Sequence, residues 1–513
     1  MRHKNFHGML AVLLFFVFLS STASGVSLVS ESSMPSRLQV YVGPPRVLAD
    51  SGVYDSVLVQ LQDSRGMPAR APEDIVVRLS SSRTDIGSID PTVTIRSGTT
   101  YAMAKFYSTY TAGSTTITAI ASGYTSGQAV MSTVGPIPSK IAVYALPPVV
   151  PADGKAYDSI VVQLQDSAGT PARAPIGDVS LTLASSDIAV GTVDPSVIIP
   201  SGKTYAVANF HTTYNEGTTT VTAVSPGYAS GQTIVKTYET GRSPSKLKVY
   251  VGPPKVSAEG ASYDSICVQL EDSQGRIAKA SKEIKVTLTS SDIAVGNVDP
   301  SVIIQSGKTY AVTKFYSTYR SGSTAITAIA PGYMSGEVAM ATFGPIPSQI
   351  AVYALPPVVP ADREAYSIIV QLQDSAGSPA RDPVGDVITI LSSSNTNIGD
   401  LNSTAVISFG DTHLMTKFYS SYKAGSTVIT AVSSGYASGQ VAVTSYIIDP
   451  LLTVSAAAYP DSIGSGGEAT VRVYVTHDAL QPPPPVPGAT IELVSDRGGS
   501  FSSITDERNG YYS

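Results

Sequence analysis

Residues 161–175 read VVQLQDSAGTPARAP, and similar stretches occur at 59–72 (VQLQDSRGMPARAP), 268–277 (VQLEDSQGRI) and 370–382 (VQLQDSAGSPARD). In every copy, apolar and polar residues alternate before an Asp-Ser-x-Gly sequence. Alternation with a period of two predicts a β-strand with one buried face and one solvated face. Aspartate at the first position and glycine at the fourth favour a type I turn after the strand. The chain therefore repeats one strand-and-turn element four times.

The four elements belong to a longer repeat. A Pro-Ser dipeptide and a short strand-like run open each unit, at Pro35, Pro138, Pro244 and Pro347, so the intervals are 103, 106 and 103 residues. Units one and three continue with VGPP, whereas units two and four continue with LPPVVPAD. The larger period of 209 residues indicates that a pair of domains was itself duplicated.

The first unit contains strand-like segments and no helical periodicity. They are Arg37–Val42, Ser56–Gln62, Ile75–Leu79, Thr92–Ile95, Tyr101–Tyr107, Thr115–Ala121 and Gln128–Thr133. About seven strands in ~100 residues are typical of an immunoglobulin-like β-sandwich, and a small barrel is the alternative. We therefore predict an all-β protein of tandem immunoglobulin-like β-sandwich domains in a linear array. One phenylalanine per unit is expected in the core: Phe106, Phe210, Phe315 and Phe418.

The repeat boundaries divide the chain into segments. They are a signal peptide at 1–25, a linker at 26–34, four immunoglobulin-like repeats at 35–137, 138–243, 244–346 and 347–449, and an incomplete fifth β-sandwich domain at 450–513. The last segment stops before the strands that would complete a sandwich, and a partial sandwich exposes its sheet edges. We therefore expect this sequence to be a fragment whose missing C-terminal region could carry an anchor to a membrane or wall.

The first 25 residues have the pattern of a signal peptide. Arg2 and Lys4 give a positive start, Met9–Leu19 is apolar, and small residues follow at 21–25. Because the apolar run is about half of the ~20 residues in a membrane helix, we favour cleavage over an uncleaved anchor. The net charge is −6 without a cluster of lysine and arginine, which predicts no nucleic-acid partner. The signal peptide predicts that the protein is secreted or located at the cell surface.

Two stretches carry a family resemblance. VVPADGKAYDSIVVQLQDSAGTPA (149–172) and AGSTTITAIASGY (112–124) resemble the bacterial immunoglobulin-like repeats of the invasin/intimin type. The resemblance covers Pro35 to about Asp449 and implies a surface protein with tandem immunoglobulin-like domains. The chain departs from the pattern at Ile277, where the other units have proline, and Ala-Asp-Gly is complete only in unit two.

The sequence predicts no catalytic, cofactor-binding or metal-binding residues. Of its five histidines, His3 and His7 lie in the predicted signal peptide, and His211 fills a strand position where the other units have tyrosine. The other two, His413 and His477, have no nearby cysteine or acidic partner at metal-ligand spacing. No Gly-x-Ser-x-Gly, His-Glu-x-x-His or phosphate-binding loop is present. Four near-copies of one domain are also a poor setting for a unique active site. We therefore expect a protein that is not an enzyme.

Acidic residues recur at turns in every unit. They are Asp63, Asp166, Asp272 and Asp374 before the glycine turn, Asp90, Asp194 and Asp299 before proline, and Asp85, Asp187 and Asp292 shortly upstream. We favour turn formation, because an aspartate side chain bonds its own backbone. Calcium at the domain junctions is the alternative, because Ca²⁺ takes oxygen ligands from carboxylates and carbonyls. No cofactor is otherwise expected.

The single cysteine and a recurrent tyrosine each have two interpretations. Cys267 falls on the glutamine face of its strand, at a position that Leu58, Val161 and Ile369 fill in the other units. We favour a semi-buried apolar role for Cys267 over an intermolecular disulfide. Gly-Tyr recurs at Tyr124, Tyr228, Tyr333 and Tyr436. We favour packing of these rings over the end of the sandwich rather than a sugar- or protein-binding platform.

Repetition of one domain suggests that the repeats serve to extend the molecule over a distance. Strands of 7–10 residues make a domain roughly 25–35 Å long, so four end to end would span on the order of 100–140 Å. We expect an extracellular, non-enzymatic protein that acts in adhesion or as a structural stalk or spacer. Its expected partner is a surface protein or glycan, or the cell envelope. The alternative is that these are accessory repeats of a larger secreted enzyme, such as a polysaccharide hydrolase.

Overall fold

A computed structural model describes residues 34–240 and 243–448. Outside these ranges it describes 11–12, 26–28, 452–459, 470–477, 490–491, 504–505, 507 and 511–513. The regular secondary structure of the described residues is β throughout, and within them there is no helix that could cross a membrane. The predicted signal peptide lies outside the described residues except for Ala11–Val12, and it stays a prediction.

The strands repeat in the same order in each unit. Two short strands, β1 (Ala11–Val12) and β2 (Val26–Leu28), come before the repeats. Unit 1 (35–137) contains β3 Arg37–Val42, β4 Arg46–Leu48, β5 Val53–Gln62, β6 Ile75–Ser81, β7 Gly87–Ile89, β8 Thr92–Ile95, β9 Tyr101–Ser108, β10 Gly113–Ile120 and β11 Gly127–Val134. Unit 2 (138–243) contains β12 Lys140–Ala145, β13 Val149–Pro151, β14 Ala156–Gln165, β15 Val179–Ser185, β16 Gly191–Val193, β17 Ser196–Ile199, β18 Tyr205–Thr212, β19 Gly217–Val224 and β20 Gly231–Tyr238.

The second half of the chain follows the same plan. Unit 3 (244–346) contains β21 Lys246–Val251, β22 Lys255–Ser257, β23 Ser262–Glu271, β24 Ile284–Ser290, β25 Gly296–Val298, β26 Ser301–Ile304, β27 Tyr310–Ser317, β28 Gly322–Ile329 and β29 Gly336–Phe343. Unit 4 (347–449) contains β30 Gln349–Leu355, β31 Val358–Pro360, β32 Ala365–Gln373, β33 Val387–Ser393, β34 Gly399–Leu401, β35 Thr404–Ile407, β36 His413–Ser420, β37 Gly425–Val432 and β38 Gly439–Tyr446. The remaining strands are β39 Leu452–Tyr459, β40 Thr470–His477, β41 Thr490–Ile491 and β42 Tyr511–Tyr512.

Each unit is a sandwich of two sheets. In unit 1 the four-stranded sheet has the order β3-β5-β9-β7, and the five-stranded sheet has the order β4-β11-β10-β6-β8. The two halves of the opening strand thus belong to different sheets, and β4 runs parallel to β11 while β3 runs antiparallel to β5. The other three units repeat this order. Two facing sheets with these neighbours make the immunoglobulin-like sandwich rather than the barrel alternative.

Each sandwich has nine strands, two more than the sequence analysis suggested. The additional strands in unit 1 are β4 and β7, of three residues each. A three-residue strand is too short to show a period of two, and β4 follows directly on two prolines, which usually mark turns. The incomplete fifth domain lies largely outside the described residues. Three of its described strands join β2 in a sheet of order β2-β39-β40-β42, and the fourth, β41, pairs with β1.

The core of each sandwich is centred on the predicted phenylalanine. The rings of Phe106, Phe210, Phe315 and Phe418 are fully buried. In unit 2 the ring of Phe210 covers Gly191, where an added Cβ would come within 2.5 Å of Phe210 Cζ. The glycine at this strand is therefore needed because the aromatic ring occupies the space of a side chain.

The units do not form the predicted linear array. Unit 1 packs face to face with unit 4, as the buried cluster of Leu58, Leu355 and Ile369 shows. Unit 2 packs in the same way on unit 3, through Val161 and Cys267. The chain therefore runs out through units 1 and 2 and back through units 3 and 4. The expectation of four domains end to end is wrong because apolar residues on the outer sheet faces cover one another.

Replacing Phe210 with alanine should lower the free energy of unfolding of unit 2 by about 3–5 kcal/mol, because it leaves a cavity in a closely packed core. Urea unfolding of the full chain, followed by far-UV circular dichroism, would measure the change. Ile188→Ala is the matched control, since Ile188 lies in the same unit with 72% of its surface exposed. Equal transition midpoints for the two variants would contradict the assignment of Phe210 to the core.

Candidate functional site

The outer face of each four-stranded sheet is the most distinctive surface of the molecule. We call it the pairing face; in unit 1 it consists of Tyr41, Leu58, Gln60, Tyr101 and Met103, on β3, β5 and β9. Leu58 and Gln60 are both 0% exposed. The sequence predicted that this glutamine face would be solvated, and that prediction is wrong because another unit covers it.

The centre of each paired face is apolar. Between units 1 and 4, Leu58, Leu355 and Ile369 are buried together, with Tyr41, Tyr101, Met103 and Tyr353 around them. Between units 2 and 3 the corresponding cluster is Leu146, Val161 and Cys267, with Tyr144, Tyr205, Tyr250 and Tyr310 around them. Burial of apolar side chains stabilises each pair by removing their surface from water.

Two reciprocal hydrogen bonds cross each interface. Gln60 Nε2 donates to the Val358 carbonyl at 3.0 Å, and Gln371 Nε2 donates to the Arg46 carbonyl at 3.0 Å. Gln60 and Gln371 occupy equivalent positions of the repeat, as do Arg46 and Val358 at the starts of β4 and β31. The pairing of units 1 and 4 therefore has an approximate two-fold axis, the geometry of an isologous interface.

Units 2 and 3 repeat the same exchange. Gln163 Nε2 donates to the Lys255 carbonyl at 3.0 Å, and Gln269 Nε2 donates to the Val149 carbonyl at 2.8 Å. All four glutamines thus bind a main-chain oxygen of the facing unit. Every residue has a main-chain carbonyl oxygen, whatever its side chain. The contact is therefore kept although the acceptor residue differs from one unit to the next.

A second glutamine orients the first within each face. Gln62 Nε2 donates to Tyr41 Oη at 3.0 Å and to Gln60 Oε1 at 3.1 Å. The same pattern links Gln165, Tyr144 and Gln163 in unit 2, and Gln373, Tyr353 and Gln371 in unit 4. With its oxygen held by a donor, the first amide must turn its nitrogen toward the facing unit.

Unit 3 departs from this pattern. Glu271 replaces the second glutamine, and its carboxylate pairs with Lys246 at 3.1 Å and accepts a bond from Tyr250 Oη at 3.4 Å. A carboxylate has no N–H to offer, so Gln269 Oε1 is buried without a hydrogen-bond partner among the described residues. Burial, followed by the charge of Glu271, raises the pKa of Tyr250 above its usual range.

Charged and aromatic groups border the interfaces. Arg70 pairs with Asp362 and Arg381 with Asp50, each at 3.4 Å, and Arg173 pairs with Glu259. Four ring pairs also cross the interfaces with centroids 5.9–6.2 Å apart: Tyr54–His413, Tyr101–Tyr366, Tyr157–Tyr310 and Tyr205–Tyr263. His413 thus fills the place of Tyr101, Tyr205 and Tyr310 in the other units.

The four units meet around a cavity of about 550 Å³. Asp50, Arg173, Glu259 and Arg381 line it, one from each unit, and they are members of the ion pairs that join the facing units. Tyr110 and Phe343 contribute aromatic walls. Neither histidine nor cysteine is among the described lining residues, and both arginines are paired with carboxylates. The cavity is therefore a charged junction between the four units.

The recurrent aspartates before the glycine turns are used by the turns. Asp63 Oδ1 accepts the main-chain N–H groups of Arg65 and Met67, each at 2.9 Å. The equivalent bonds occur at Asp166, Asp272 and Asp374. Gly66 has a φ of +84°, the left-handed region that favours glycine. These carboxylates therefore shape the turn that the sequence predicted.

The other recurrent aspartates also bond locally. Asp194 accepts a bond from the main-chain N–H of Asn209 and lies 2.7 Å from His211 Nε2. The contact with His211 is the main cause that holds the pKa of Asp194 below its usual range. In units 1 and 3 a tyrosine takes the place of His211: Tyr107 Oη donates to Asp90, and Tyr316 Oη donates to Asp299. Asp85 pairs with Arg83, and Asp187 and Asp292 accept main-chain N–H groups. Across the described part of the chain, no group of three His, Cys, Asp or Glu side chains could hold a metal ion.

Cys267 lies in the interface between units 2 and 3 and is 0% exposed. It is more deeply buried than the semi-buried position that the sequence predicted, because the pairing face is covered. Burial raises the pKa of the Cys267 thiol well above its usual range. The thiol therefore stays protonated, and while units 2 and 3 are paired it is closed off from a disulfide with another chain.

The recurrent Gly-Tyr tyrosines pack against the cores. Tyr124, Tyr228, Tyr333 and Tyr436 each contact the buried cluster of their own unit. Tyr436 Oη also donates a hydrogen bond to Asp382. This is the packing role that the sequence favoured over a binding platform.

The outer face of each five-stranded sheet is exposed and partly aliphatic. Ile120, Val224, Ile329 and Val432 occupy one repeat position there, and all are exposed. Unit 4 adds Ile388 and Ile390, the second of which lies opposite Val432 in the sheet register. These outward faces are the surface that the paired block offers to other molecules.

Sequence reasoning missed the pairing glutamines. The signal that could have found them was the apolar residue two positions before each pairing glutamine: Leu58, Val161, Cys267 and Ile369 stand on the glutamine face in the four units. A solvated sheet face has no reason to keep an apolar residue at one position in every repeat.

Solved structures of several functional classes show a weak likeness to this chain. Invasin, a bacterial integrin-binding protein, is 17% identical over 80% of this chain and 79% of its own, with a TM-score of 0.26. Domains 4–9 of the surface layer protein SbsC are 14% identical over 87% of this chain and 80% of theirs, with a TM-score of 0.33. A glycosyl hydrolase family 2 member from Bacteroides cellulosilyticus is 13% identical over 37% of this chain and 23% of its own, with a TM-score of 0.19.

No protein-family model matches the sequence, and the comparison with curated proteins finds no match. TM-scores at this level carry no argument about activity. The class of the protein, tandem immunoglobulin-like sandwiches without a helix among the described residues, rests on the strand order above. Invasin belongs to the family that the sequence resembles.

Replacing Gln60 and Gln163 together with alanine should weaken both pairs by about 1–3 kcal/mol each, because the facing carbonyls lose their donors. Small-angle X-ray scattering in a urea series would show the maximum dimension increasing at a lower urea concentration than for the native chain. Gln128→Ala with Gln232→Ala is the matched control, since these glutamines are exposed on β11 and β20. Identical transitions for the two double variants would contradict the role of the pairing glutamines.

The pairing of units 1 and 4 should weaken in acid. Burial lowers the pKa of His413 below its usual 6.5, although Asp411, Asp55 and Asp50 partly offset this shift. The separated state then binds the proton more readily, so the contribution of neutral His413 to pairing is complete above pH 6.5 and is lost as the pH falls below it. Hydrogen exchange of the Val358 and Val359 amides at pH 7.5 and pH 5, corrected for intrinsic rates, would measure this. His413→Tyr, which restores the residue of the other units, should flatten the difference; an unchanged difference would refute the assignment to His413.

Proposed function

We propose that this chain is a non-enzymatic extracellular protein of the cell surface, in which four immunoglobulin-like sandwiches act together as one rigid block. The observation that carries the proposal is the reciprocal burial of the pairing faces. It turns four small domains into a single body with two layers of strands directed outward. Such a body suits load-bearing and repeated contact rather than substrate turnover.

The distribution of polar groups supports a role without catalysis. The acidic side chains that recur in each unit bond to the backbone or to a neighbouring side chain, and the arginines of the central cavity are paired with carboxylates. A general acid, base or nucleophile needs a free group within reach of a substrate. In the described residues the recurrent aspartates shape turns within a unit, and the cavity arginines join facing units.

The outward faces supply the contact surface in this proposal. Exposed Ile390 and Val432 lie side by side on the five-stranded sheet of unit 4, and each of the other units carries an equivalent aliphatic position. A contact that is weak at one unit gains strength when the block presents four at fixed spacing. The partner in this proposal is a surface protein or glycan, or the chain's own cell envelope.

Location is the first test of this proposal. The native gene would be expressed in its source cells, and the chain followed through fractionation and through protease treatment of intact cells. We expect the chain at the surface or in the medium, and cleavage by protease that does not enter cells. Retention in the cytoplasm would overturn the proposal. A polysaccharide-hydrolysing activity that copurifies on one chain with these units would favour the accessory-repeat alternative.

Binding is the second test. Purified full chain would be applied to isolated cell envelopes and to immobilised surface glycans and proteins. Ile390→Asp with Val432→Asp should reduce retention severalfold if the outward face makes the contact. The matched control is Val76→Asp with Ile234→Asp, exposed outward positions on units 1 and 2. A similar loss in both variants would indicate that all units contribute, whereas no loss in either would contradict a role for the outward faces.

A further inference from the structure

The paired arrangement has a property that the proposed surface role does not require. Units 1 and 3 are equivalent under the 209-residue period, and so are units 2 and 4. Both face-to-face contacts therefore join an odd unit to an even one. We infer that a second copy of this chain can supply the facing units, so that two chains exchange halves and complete each other's pairing faces and central cavity.

Each half of the chain is held together by its own contacts. Tyr110 of unit 1 packs against Gly202 of unit 2, and the Arg173 guanidinium lies 5.6 Å from the Tyr110 ring centroid. The equivalent Tyr319 of unit 3 meets Phe409 of unit 4 edge to face at 5.1 Å, with Arg381 at 5.7 Å from its ring centroid. Units 1–2 and units 3–4 thus form two arms with matching internal joints.

The contacts between the arms do not depend on the chain connection. The glutamine bonds, the ion pairs and the apolar clusters each join one residue of units 1–2 to one of units 3–4. All would form unchanged if the two arms came from different molecules. Exchange therefore alters the free energy of the inter-arm contacts very little and replaces one intramolecular association with a bimolecular one.

The connection between the arms is the element that distinguishes the two states. The joints inside the arms have five residues, Gly135–Ser139 and Gly344–Ser348, and both read GPIPS. The connection from β20 to β21 has seven, Glu239–Ser245, with the sequence ETGRSPS. Pairing within one molecule requires units 2 and 3 to lie face to face while these seven residues connect them. Shortening it would therefore penalise the closed monomer and favour exchange.

A disulfide across the interface can tell the two states apart. Val161 and Cys267 lie in one buried cluster between units 2 and 3, and Cys267 is the single cysteine of the chain. In the full chain with Val161→Cys, oxidation would close a disulfide within one molecule in the monomer. In the exchanged form the same pair would join two molecules. Electrophoresis without reductant separates the products.

The test compares two connections in this background. With the native connection, refolding at low protein concentration should give mostly intrachain disulfides, and refolding at high concentration should shift the product to covalent dimers or longer chains. Replacing Glu239–Ser245 with GPIPS should give mostly interchain products at both concentrations. Val161→Cys with Cys267→Ala is the control, which should give no pair-specific product. Intrachain disulfides alone in both connections would overturn the inference.

A second measurement covers the case in which the disulfide does not form. Two full chains with different affinity tags would be refolded together, and one tag captured. Retention of the other tag supports exchange, provided that Leu58→Asp with Val161→Asp in both chains abolishes it. These positions lie outside the sandwich cores, so circular dichroism should show the variant folded. No retention by the native pair, or retention that survives both aspartates, would overturn the inference. Neither outcome depends on where the cell places the protein.

Discussion

The arrangement of the molecule depends on a buried glutamine that donates to a main-chain carbonyl of the facing unit. Gln60, Gln163, Gln269 and Gln371 each make this bond, in two reciprocal pairs. An amide sealed from water must find a partner or lose the free energy of its hydration. The bond therefore fixes the register in which two units face each other, whereas the surrounding apolar and tyrosine side chains contribute attraction without selecting a register.

The fold inside each unit was accessible from the sequence, and the arrangement of the units was not. A period of two, Asp-x-x-Gly turns and a recurrent phenylalanine are local patterns, and each was confirmed as a strand, a turn or a core position. The short strands Arg46–Leu48 and Gly87–Ile89 gave no such pattern. The pairing glutamines bind residues 92 to 325 positions away in the sequence, and the signal for pairing was one apolar position on an otherwise polar face. At this position the sequence favours a semi-buried apolar role for Cys267, because nothing local shows what covers it.

The candidate site shows the same division. Sequence reasoning placed the aspartates at turns and proposed no catalytic residues, and the local geometry accounts for those carboxylates one by one. It could not find the cavity, because Asp50, Arg173, Glu259 and Arg381 come from four different units. Their pairing across units means that each arginine of the cavity already has a carboxylate partner.

The odd-on-even rule of pairing also bears on the history of the chain. A molecule with only two units would carry one odd and one even pairing face, pointing the same way on a stiff arm. Two such molecules, laid antiparallel, would cover all four faces with the contacts now seen between units 1 and 4 and units 2 and 3. The 209-residue duplication therefore gives one chain the arrangement of a homodimer whose two subunits have been fused. The residues between β20 and β21 form the connection between the fused halves. Glu271, which leaves Gln269 Oε1 without a partner, is the kind of substitution such a fusion tolerates, since a tethered partner cannot diffuse away.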